Sequence, residues 1–407
     1  MTETIANGTS SIPDVFAPAK LGPVTLRNRV IKAATFEGVM PKGLVTDALV
    51  EYHRRVARGG VGMTTVAYLA VAPEGRTDRH CIHLRDEAAP GLRVLTDAIH
   101  EEGAAIAAQI GHAGPVANSR SNGAPSLAPS NGFSALGSRL HGVDEHDITR
   151  ITDDYSRGAR MVADTGFDSI EIHLGHNYLL SAFLSPKLNK RTDRYGGTLE
   201  NRARFPRQVV KAVRDAVGDR VAVTAKVNMA DGTPGGFWLN ESVEFARMLQ
   251  DDGALDALEL TGGSSLANPM YLFRGEAPIP EFAATQPQPI RLGMRLFGKR
   301  FLIEYPWEEA YFLQYARQFR AALDMPLILL GGINRRETMD QAMRDGFAFV
   351  AMARALLREP DLLNKMQKGA SDESLCIHCN KCMPTIYSGT RCVLVDPDPP
   401  AKPTAVA

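Results

Sequence analysis

The sequence predicts an α/β fold in which eight parallel strands close into a (β/α)8 TIM barrel, followed by a short C-terminal cysteine-rich extension. Short apolar runs alternate with segments of helical spacing from residue 30 to residue 368, which is typical of a parallel sheet. Polar side chains cluster just after the predicted strand ends, where a barrel presents its catalytic groups. The alternative is an open doubly wound sheet, but no G-x-G-x-x-G motif follows the first strand.

The predicted strands are nearly continuous apolar runs, which suits parallel strands buried on both faces. In chain order they are Val30–Ala34, Met63–Val66, Ala105–Ile110, Ser169–His173, Val221–Val227, Ala257–Leu260, Leu327–Gly331 and Phe347–Met352. Segments with helical spacing lie between them, among them Asp153–Asp164, Asn201–Val217, Glu241–Asp251 and Glu309–Ala322.

Capping residues bound some of these helices. Thr152 and Asn240 stand where an N-cap is expected. Gly166 and Gly253 each follow a helix at the C′ position, which favours glycine.

Two long stretches, about Leu174–Glu200 and Gly262–Pro306, interrupt the alternation and are predicted to be irregular. Loops of that length in a compact domain usually cover a binding site or are disordered. The second stretch contains apolar and cationic residues, such as Phe273 and Arg274, which suit a substrate lid. The predicted organisation is a flexible N-terminus (1–14), a barrel (15–369), a cysteine-rich segment (370–394) and a flexible, Pro-rich tail (395–407).

The charge balance excludes several classes of protein. The chain has 407 residues, with 46 Lys+Arg against 46 Asp+Glu, and nucleic-acid binding would need a basic surplus. No apolar run reaches the ~18–20 residues of a membrane span. Residues 1–11 lack the pattern of a signal peptide. We therefore expect a cytoplasmic protein that binds neither nucleic acid nor a membrane.

Four of the five cysteines, Cys376, Cys379, Cys382 and Cys392, lie close together near the C-terminus. Such a group indicates metal ligands in a reducing compartment rather than disulfides. The spacing is C-x2-C-x2-C, then nine residues, then the fourth cysteine. This order fits a [4Fe–4S] cluster better than structural zinc, which usually takes paired C-x2-C motifs. Zinc and free thiols stay open as alternatives.

Two histidines and a tyrosine follow the fourth predicted strand. His173 ends the strand and His176 begins the loop. Two imidazole N–H groups aimed at one point can polarise a carbonyl oxygen and hold the charge that develops on reduction. Tyr178 can act as a general acid. By spacing alone, these residues can equally be core side chains or part of a zinc site, although no H-E-x-x-H motif is present.

Several motifs extend over nearly the whole chain, from about residue 15 to residue 392. The most specific is the block from Gly166 to Phe205, which contains both histidines, and it is joined by Phe16-Ala-Pro-Ala-Lys-Leu-Gly22, Pro73-Glu-Gly-Arg76, Gln109-Ile-Gly-His-Ala-Gly114 and Gly331-Gly-Ile333. Together they resemble the old yellow enzyme family, in particular its 2,4-dienoyl-CoA reductase and trimethylamine dehydrogenase-like branch.

The resemblance implies an FMN-dependent barrel that uses NADH or NADPH, with His173 and His176 binding the substrate oxygen and Tyr178 donating the proton. The flavin-binding residues that it implies are Ala34, Thr35, Ala67, Gln109, Lys226, Gly331, Gly332 and Arg354. It also places an iron–sulfur cluster directly after the eighth helix, where the four cysteines stand.

Residue types support the central flavin positions. The Gln109 amide matches the donor and acceptor pattern of a flavin pyrimidine. Lys226 lies in an apolar strand, and a buried cation needs a partner such as the N1–C2=O edge of the flavin. The family usually has arginine there. Lysine keeps the positive charge but cannot form the two parallel hydrogen bonds of a guanidinium.

The phosphate position follows the seventh and eighth strands, where barrels commonly bind phosphate, and it holds Gly331, Gly332 and Arg354. Two departures from the family pattern stand out. Ala353 replaces the usual glycine and requires a negative φ. Phe36 occupies a position that usually hydrogen-bonds the flavin.

The leading functional prediction is an NAD(P)H-dependent oxidoreductase that reduces the C=C bond of an α,β-unsaturated carbonyl compound. The first alternative is a flavin and iron–sulfur dehydrogenase that oxidises an amine or an alicyclic ketone and passes electrons to a separate partner. The second is a zinc-stabilised barrel without catalytic activity. A small-molecule substrate and a homo-oligomer are also expected.

Overall fold

Eight parallel strands close into a barrel in the computed structural model, which describes residues 12–134 and 137–406. Most of the N-terminal segment predicted to be flexible, residues 1–11, lies outside the described residues. The strands are β1 (Ala19–Leu21), β2 (Val24–Leu26), β3 (Val30–Phe36), β4 (Met63–Ala70), β5 (Ala105–Gly111), β6 (Ser126–Ala128), β7 (Gly132–Phe133), β8 (Arg139–Gly142), β9 (Ser169–Leu174), β10 (Ala222–Asn228), β11 (Ala257–Thr261), β12 (Leu327–Leu330) and β13 (Phe349–Met352).

The barrel strands are β3, β4, β5, β9, β10, β11, β12 and β13, and they follow one another around the barrel in chain order. Every pair is parallel. All eight predicted strands are confirmed. Several continue beyond their predicted ends; β4, for example, reaches Ala70 rather than Val66.

Alternation along each strand separates two buried layers. In β9, Ile170 and Ile172 face the surrounding helices, whereas Glu171 and His173 face the barrel interior. The N-terminal end of the interior is closed by the β1–β2 hairpin, whose apolar side chains pack against the first residues of the barrel strands. The opposite, C-terminal end is therefore the one available for a site.

The described helices are α1 (Asp47–Arg58), α2 (Ala89–His100), α3 (Ser119–Asn122), α4 (Glu145–Asp164), α5 (Leu179–Leu184), α6 (Leu199–Val217), α7 (Leu239–Asp251), α8 (Pro269–Phe273), α9 (Ile279–Ala284), α10 (Ile290–Phe301), α11 (Leu313–Ala322), α12 (Arg336–Arg344), α13 (Arg354–Arg358) and α14 (Leu362–Gln367). Short 3-10 helices add Pro73–Gly75, Asp86–Ala88, Gly114–Val116 and Met383–Tyr387.

Two predicted N-caps are wrong. Helix α4 begins earlier than predicted, because Asp144 forms a capping box with Asp147. Thr152 therefore lies inside the helix, where its hydroxyl donates to the Ile148 carbonyl. Helix α7 begins after Trp238, so Asn240 is also helical.

The C-terminal ends of these two helices agree with the prediction. Gly166 and Gly253 adopt φ values of +93° and +65°, which glycine accepts without strain.

The two stretches predicted to be irregular loops contain short helices. Helix α5 lies in the first, and α8, α9 and α10 lie in the second. Three of these helices have only five or six residues, too few for a 3.6-residue apolar period to show in the sequence. Proline at the start of α8 and α9 is the signal that indicates them.

The cysteine-rich segment packs against the end of the first barrel strand. The Thr390 N–H donates to the Glu37 carbonyl at 2.7 Å, and its hydroxyl donates to the Phe36 carbonyl at 2.5 Å. Farther along, Ala405 forms an antiparallel bridge with Thr46. This end of the segment predicted to be a flexible tail is thus attached to the barrel.

No helix in the described part of the chain combines the length and apolar character needed to span a bilayer.

Candidate active site

The structure brings the three predicted catalytic side chains together at the C-terminal end of β9. The ring centroids of His173 and His176 are 5.1 Å apart, and those of His173 and Tyr178 are 4.4 Å apart. His173 is buried, whereas His176 and Tyr178 are partly exposed. The two imidazoles and the phenol therefore lie close enough to act on one small molecule.

A strained turn places His176. His176 and Asn177 adopt φ values of +59° and +60°, a left-handed conformation that is uncommon outside glycine. The His176 N–H donates to Oδ1 of Asn228 at 3.0 Å, and its Nε2 lies 3.0 Å from Oγ1 of Thr261. Asn228 and Thr261 end the next two barrel strands. Only the closed sheet brings these two side chains to the histidine.

Both histidines are uncharged near neutral pH. Burial is the main cause that lowers the pKa of His176 to about 3, and the charge of Lys226 adds to it. Burial also lowers the pKa of His173 well below its ordinary value, with further contributions from His176 and Lys226. A neutral imidazole carries one N–H group. The pair is thus suited to donate hydrogen bonds to a developing negative charge without supplying a proton.

Tyr178 lies beside an apolar wall. Its ring meets that of Tyr68 edge-on, with centroids 5.5 Å apart. Ala34 and Phe36, from the end of the first barrel strand, pack in the same cluster, as does the buried Cys81. Ala34 therefore shares an apolar cluster with Tyr178, and the Phe36 ring provides an apolar surface where the family pattern has a hydrogen-bonding residue.

Thr35 and Ala67, two further predicted flavin neighbours, have their polar groups engaged elsewhere. The Thr35 hydroxyl lies 2.8 Å from the Lys32 ammonium and 3.0 Å from the Tyr52 hydroxyl, so its side chain faces helix α1. The Ala67 N–H donates to Glu37 at 3.0 Å. Ala67 also belongs to the apolar cluster that contains Tyr178, and the flavin contacts of Thr35 and Ala67 stay predictions.

A buried lysine lies between two carboxylates in the barrel interior. The Lys226 ammonium contacts Glu259 and lies 3.2 Å from Oε1 of Glu171. Gln109 donates to Oε2 of Glu171 at 2.5 Å. Burial by itself lowers the pKa of Lys226, but the two carboxylates outweigh it and raise the pKa. The lysine is therefore charged and paired, as a buried cation requires.

The two carboxylates were missed by the sequence analysis. Glu171 and Glu259 stand inside runs that are otherwise apolar, and both face the barrel interior. A lone glutamate in a buried strand is the signal that indicates an interior charge pair. The flavin contacts of Gln109 and Lys226 stay predictions.

Two glycines follow β12 in left-handed conformations. Gly331 has φ +115° and Gly332 has φ +72°. A Cβ atom at Gly331 would lie 2.6 Å from the ring of Phe312, and one at Gly332 would lie 2.6 Å from the ring of Tyr311. Glycine is thus required at both positions, by the left-handed backbone and by the aromatic rings packed against it.

Arg354 follows β13, next to the glycine turn. Ala353 has φ −122°, so its methyl group is tolerated, as the sequence analysis required. The Arg354 Nη1 atom donates to the Arg274 carbonyl at 3.2 Å and also contacts Oδ1 of Asn380. Asn380 belongs to the cysteine-rich segment, so Arg354 links that segment to the barrel mouth.

The four clustered cysteines line a single cavity. Cys376, Cys379, Cys382 and Cys392 surround it together with Arg354. Within the described residues, no three of the cysteine Sγ atoms lie mutually within 4.8 Å. A tetrahedral zinc site with Zn–S bonds of about 2.3 Å would place its sulfur atoms roughly 3.8 Å apart. In every group of three of these cysteines, at least one pair of sulfur atoms is therefore farther apart than in such a zinc site.

The comparison with protein families agrees with this geometry. The model of the NADH:flavin oxidoreductase / NADH oxidase family matches residues 14–259. The chain belongs to this family. The old yellow enzyme resemblance and the FMN-dependent oxidoreductase function predicted from the motifs are therefore confirmed.

The relatives of this NADH:flavin oxidoreductase include a protein of similar length and longer proteins. The 4,4'-dithiodibutanoate disulfide reductase of Rhodococcus erythropolis is 58% identical over 390 residues, which cover 95% of this chain and 96% of that protein. The metal reductase of Desulforamulus reducens is 33% identical over 381 residues, covering 92% of this chain and 52% of that protein. The chain therefore spans about half the length of the second relative.

A solved structure shares the fold. The old yellow enzyme homologue from Zymomonas mobilis superposes with a TM-score of 0.69 at 20% identity, covering 90% of this chain and 96% of that one.

The residues present fit FMN. Gly331 and Gly332 offer a backbone without side chains to a phosphate, and Arg354 follows the neighbouring strand β13. The Gln109 amide and the charged Lys226 lie in the barrel interior, and Lys226 is level with His173 in the register of β9 and β10. In this structure their partners are Glu171 and Glu259, and both groups are of the polar kind that the ring system of a flavin would need.

Proposed function

We propose that this NADH:flavin oxidoreductase reduces a small organic disulfide that carries carboxylate groups. The observation that carries the proposal is the 58% identity, over almost the full length of both proteins, to a 4,4'-dithiodibutanoate disulfide reductase. The site supports it because two uncharged imidazoles and a phenol lie together: the ring centroids of His176 and Tyr178 are 5.1 Å and 4.4 Å from that of His173. Disulfide cleavage needs such donors, since a negative charge develops on the departing sulfur.

In the proposed reaction, FMN held at the barrel mouth would supply a hydride that comes from NAD(P)H. One substrate sulfur gains that hydride and becomes a thiol, the S–S bond breaks, and the second sulfur leaves as a thiolate that takes a proton. His173 and His176 stabilise the thiolate by hydrogen bonding, and Tyr178 is positioned to provide the proton.

The alternative chemistry, thiol–disulfide exchange with a protein cysteine, is disfavoured near this site. Cys81 is fully buried, and its Sγ donates to the Tyr68 carbonyl at 3.2 Å. Burial raises the pKa of the Cys81 thiol to about 12, so that it stays protonated at neutral pH. Exchange requires a thiolate. Hydride transfer to the substrate disulfide does not require a protein thiolate.

Reduction of an activated C=C bond is the second candidate, and the arrangement of the three catalytic residues favours it specifically. The two histidines suit a substrate carbonyl oxygen, whose charge increases when hydride reaches the β-carbon. Tyr178, beside His173, is placed to protonate the α-carbon. Disulfide reduction and alkene reduction would use the same residues. They differ in how strongly the reaction depends on the proton from Tyr178.

A two-step kinetic experiment tests the proposal. The purified enzyme is reduced anaerobically by NADH or NADPH and then mixed with 4,4'-dithiodibutanoate or with a cyclic enone. We expect reoxidation by the disulfide to be fast and to yield two thiols per flavin. Fast reoxidation by the enone with no reaction of the disulfide would leave alkene reduction as the function.

We further propose that the four clustered cysteines hold a [4Fe–4S] cluster that exchanges electrons with a separate protein. The thiols are arranged around one cavity and are spaced more widely than zinc ligands. His378 and Asn380, between the first three cysteines, adopt left-handed conformations that turn the chain around the cavity. Three closely spaced thiolates and one distal thiolate are the ligand pattern of such a cluster.

Anaerobically purified protein is expected to contain four iron atoms and four acid-labile sulfides per chain, and no stoichiometric zinc. The Cys379→Ser variant should lose most of the iron and sulfide. Cys81→Ser is the matched control, because it changes a buried cysteine outside the cavity, and it should keep both. Stoichiometric zinc without sulfide would contradict the cluster and leave the flavin function intact.

A further inference from the structure

Arg274 has an unusual position at the barrel mouth. It follows helix α8, and its backbone has φ +48°, a conformation that is strained for arginine. Its carbonyl accepts hydrogen bonds from Arg354 at 3.2 Å and from Nδ2 of Asn380 at 2.8 Å. The backbone of Arg274 is thus held in place by Arg354 and by the cysteine-rich segment.

The guanidinium of Arg274 lies among four aromatic rings. Its central carbon is 5.1 Å from the ring centroid of Tyr311, 5.4 Å from Tyr271, 5.6 Å from Tyr305 and 5.9 Å from Phe312. Cation–π attraction positions such a charge but does not neutralise it.

Arg274 also lacks an acidic partner. Within the described residues, no carboxylate oxygen lies within 4.0 Å of its nitrogens, and its buried Nε has no hydrogen-bond partner. A fixed and partly buried cation of this kind is suited to bind an anion.

Two of the four rings connect Arg274 to the glycine turn. Tyr311 lies against Gly332 and Phe312 against Gly331, each at 2.6 Å from the position of an added Cβ atom. Burial raises the pKa of Tyr311, while the positive charges of Arg354 and Arg274 both oppose that increase. Both guanidinium groups therefore lie near the Tyr311 side chain, whose ring packs against Gly332.

We propose that Arg274 is a second guanidinium, beside Arg354, that binds the phosphate of the flavin cofactor. A phosphate monoester carries nearly two negative charges at neutral pH. Two arginines neutralise both charges, whereas one arginine leaves the phosphate with a negative charge. Arginine forms bidentate hydrogen bonds to phosphate oxygens, and the aromatic rings fix its plane. This inference rests on FMN being the cofactor and assigns a new residue to its binding.

Comparing FMN with riboflavin, which lacks the phosphate, isolates this contact. Flavin-free protein is titrated with each compound, and the quenching of flavin fluorescence gives the two Kd values. For Arg274→Ala we expect the Kd for FMN to rise about 10- to 100-fold, the effect of one charge-assisted contact. The Kd for riboflavin should change less than twofold. Arg295→Ala, at an exposed position of helix α10, is the control and should leave both values unchanged.

Arg274→Lys keeps the charge and loses the bidentate fork, so it provides the test if the alanine variant fails to fold. It should weaken FMN binding several-fold and spare riboflavin. Equal weakening of both flavins would assign Arg274 a structural role and overturn the proposal. Unchanged FMN binding with a raised KM for a dicarboxylate disulfide would also overturn it. If the wild-type protein bound FMN no more tightly than riboflavin, the phosphate site itself would be refuted.

Discussion

Replacing His176 with alanine is expected to lower the rate of reoxidation by an enone about 10²- to 10³-fold, the usual effect of removing one donor from an oxyanion-binding pair. The loss arises because His173 alone then faces the charge that develops on the substrate oxygen. The rate is measured at saturating enone after anaerobic reduction by NADH. The FMN content should stay at the wild-type level, since His176 contacts Thr261 and Asn228 rather than the glycine turn.

Thr261 offers a matched control for this experiment. Thr261→Val removes the hydroxyl that lies 3.0 Å from Nε2 of His176 and keeps the shape of the side chain. We expect a smaller decrease than for His176→Ala, with recovery in Thr261→Ser. A His176→Ala enzyme with nearly wild-type enone turnover would show that the histidine does not bind the substrate oxygen.

Replacing Tyr178 with phenylalanine is expected to separate the two candidate reactions. Loss of a general acid typically slows a reaction about 10²- to 10⁴-fold, and we expect this loss for the alkene, because its α-carbon must be protonated. A disulfide should lose less than about tenfold, since a thiol has a pKa near 8.5 and its thiolate can leave without a proton. Reduction of the flavin by NADH should be nearly unchanged.

Tyr68→Phe is the control for the tyrosine experiment. The Tyr68 ring meets Tyr178 edge-on, but its hydroxyl is buried and donates to the Gly75 carbonyl. Its loss should leave the ratio of alkene to disulfide rates unchanged. If Tyr178→Phe slowed flavin reduction as much as reoxidation, Tyr178 would be a structural residue rather than the proton donor.

The barrel, and the proximity of His173, His176 and Tyr178, could be predicted because their signals are local. Eight apolar runs are sufficient to place eight strands, since a parallel strand must bury both faces. His173, His176 and Tyr178 stand within six residues of one another, so a strand end and a short turn bring them together. The four cysteines also lie close together in the sequence, and the structure places them around one cavity.

The missed features depend on contacts between distant parts of the chain. Glu259 pairs with Lys226 only because β10 and β11 are neighbours in the closed sheet. Helices α8 and α9 have five and six residues, and such short helices depend on tertiary packing for stability. These helices are too short for a 3.6-residue apolar period to be recognised in the sequence, which is why the region was predicted to be irregular.

The strand order, the grouping of His173, His176 and Tyr178, and the spacing of the cysteines follow from the sequence, because each depends on apolar burial or on neighbours a few residues apart. The groups that surround them follow only from the folded chain. Folding placed Asn228 and Thr261 on His176, two carboxylates on Lys226, and Arg274 beside Arg354. Charges and hydrogen-bond donors act over a few ångströms, and only closure of the barrel brings residues from separate strands and loops within that distance.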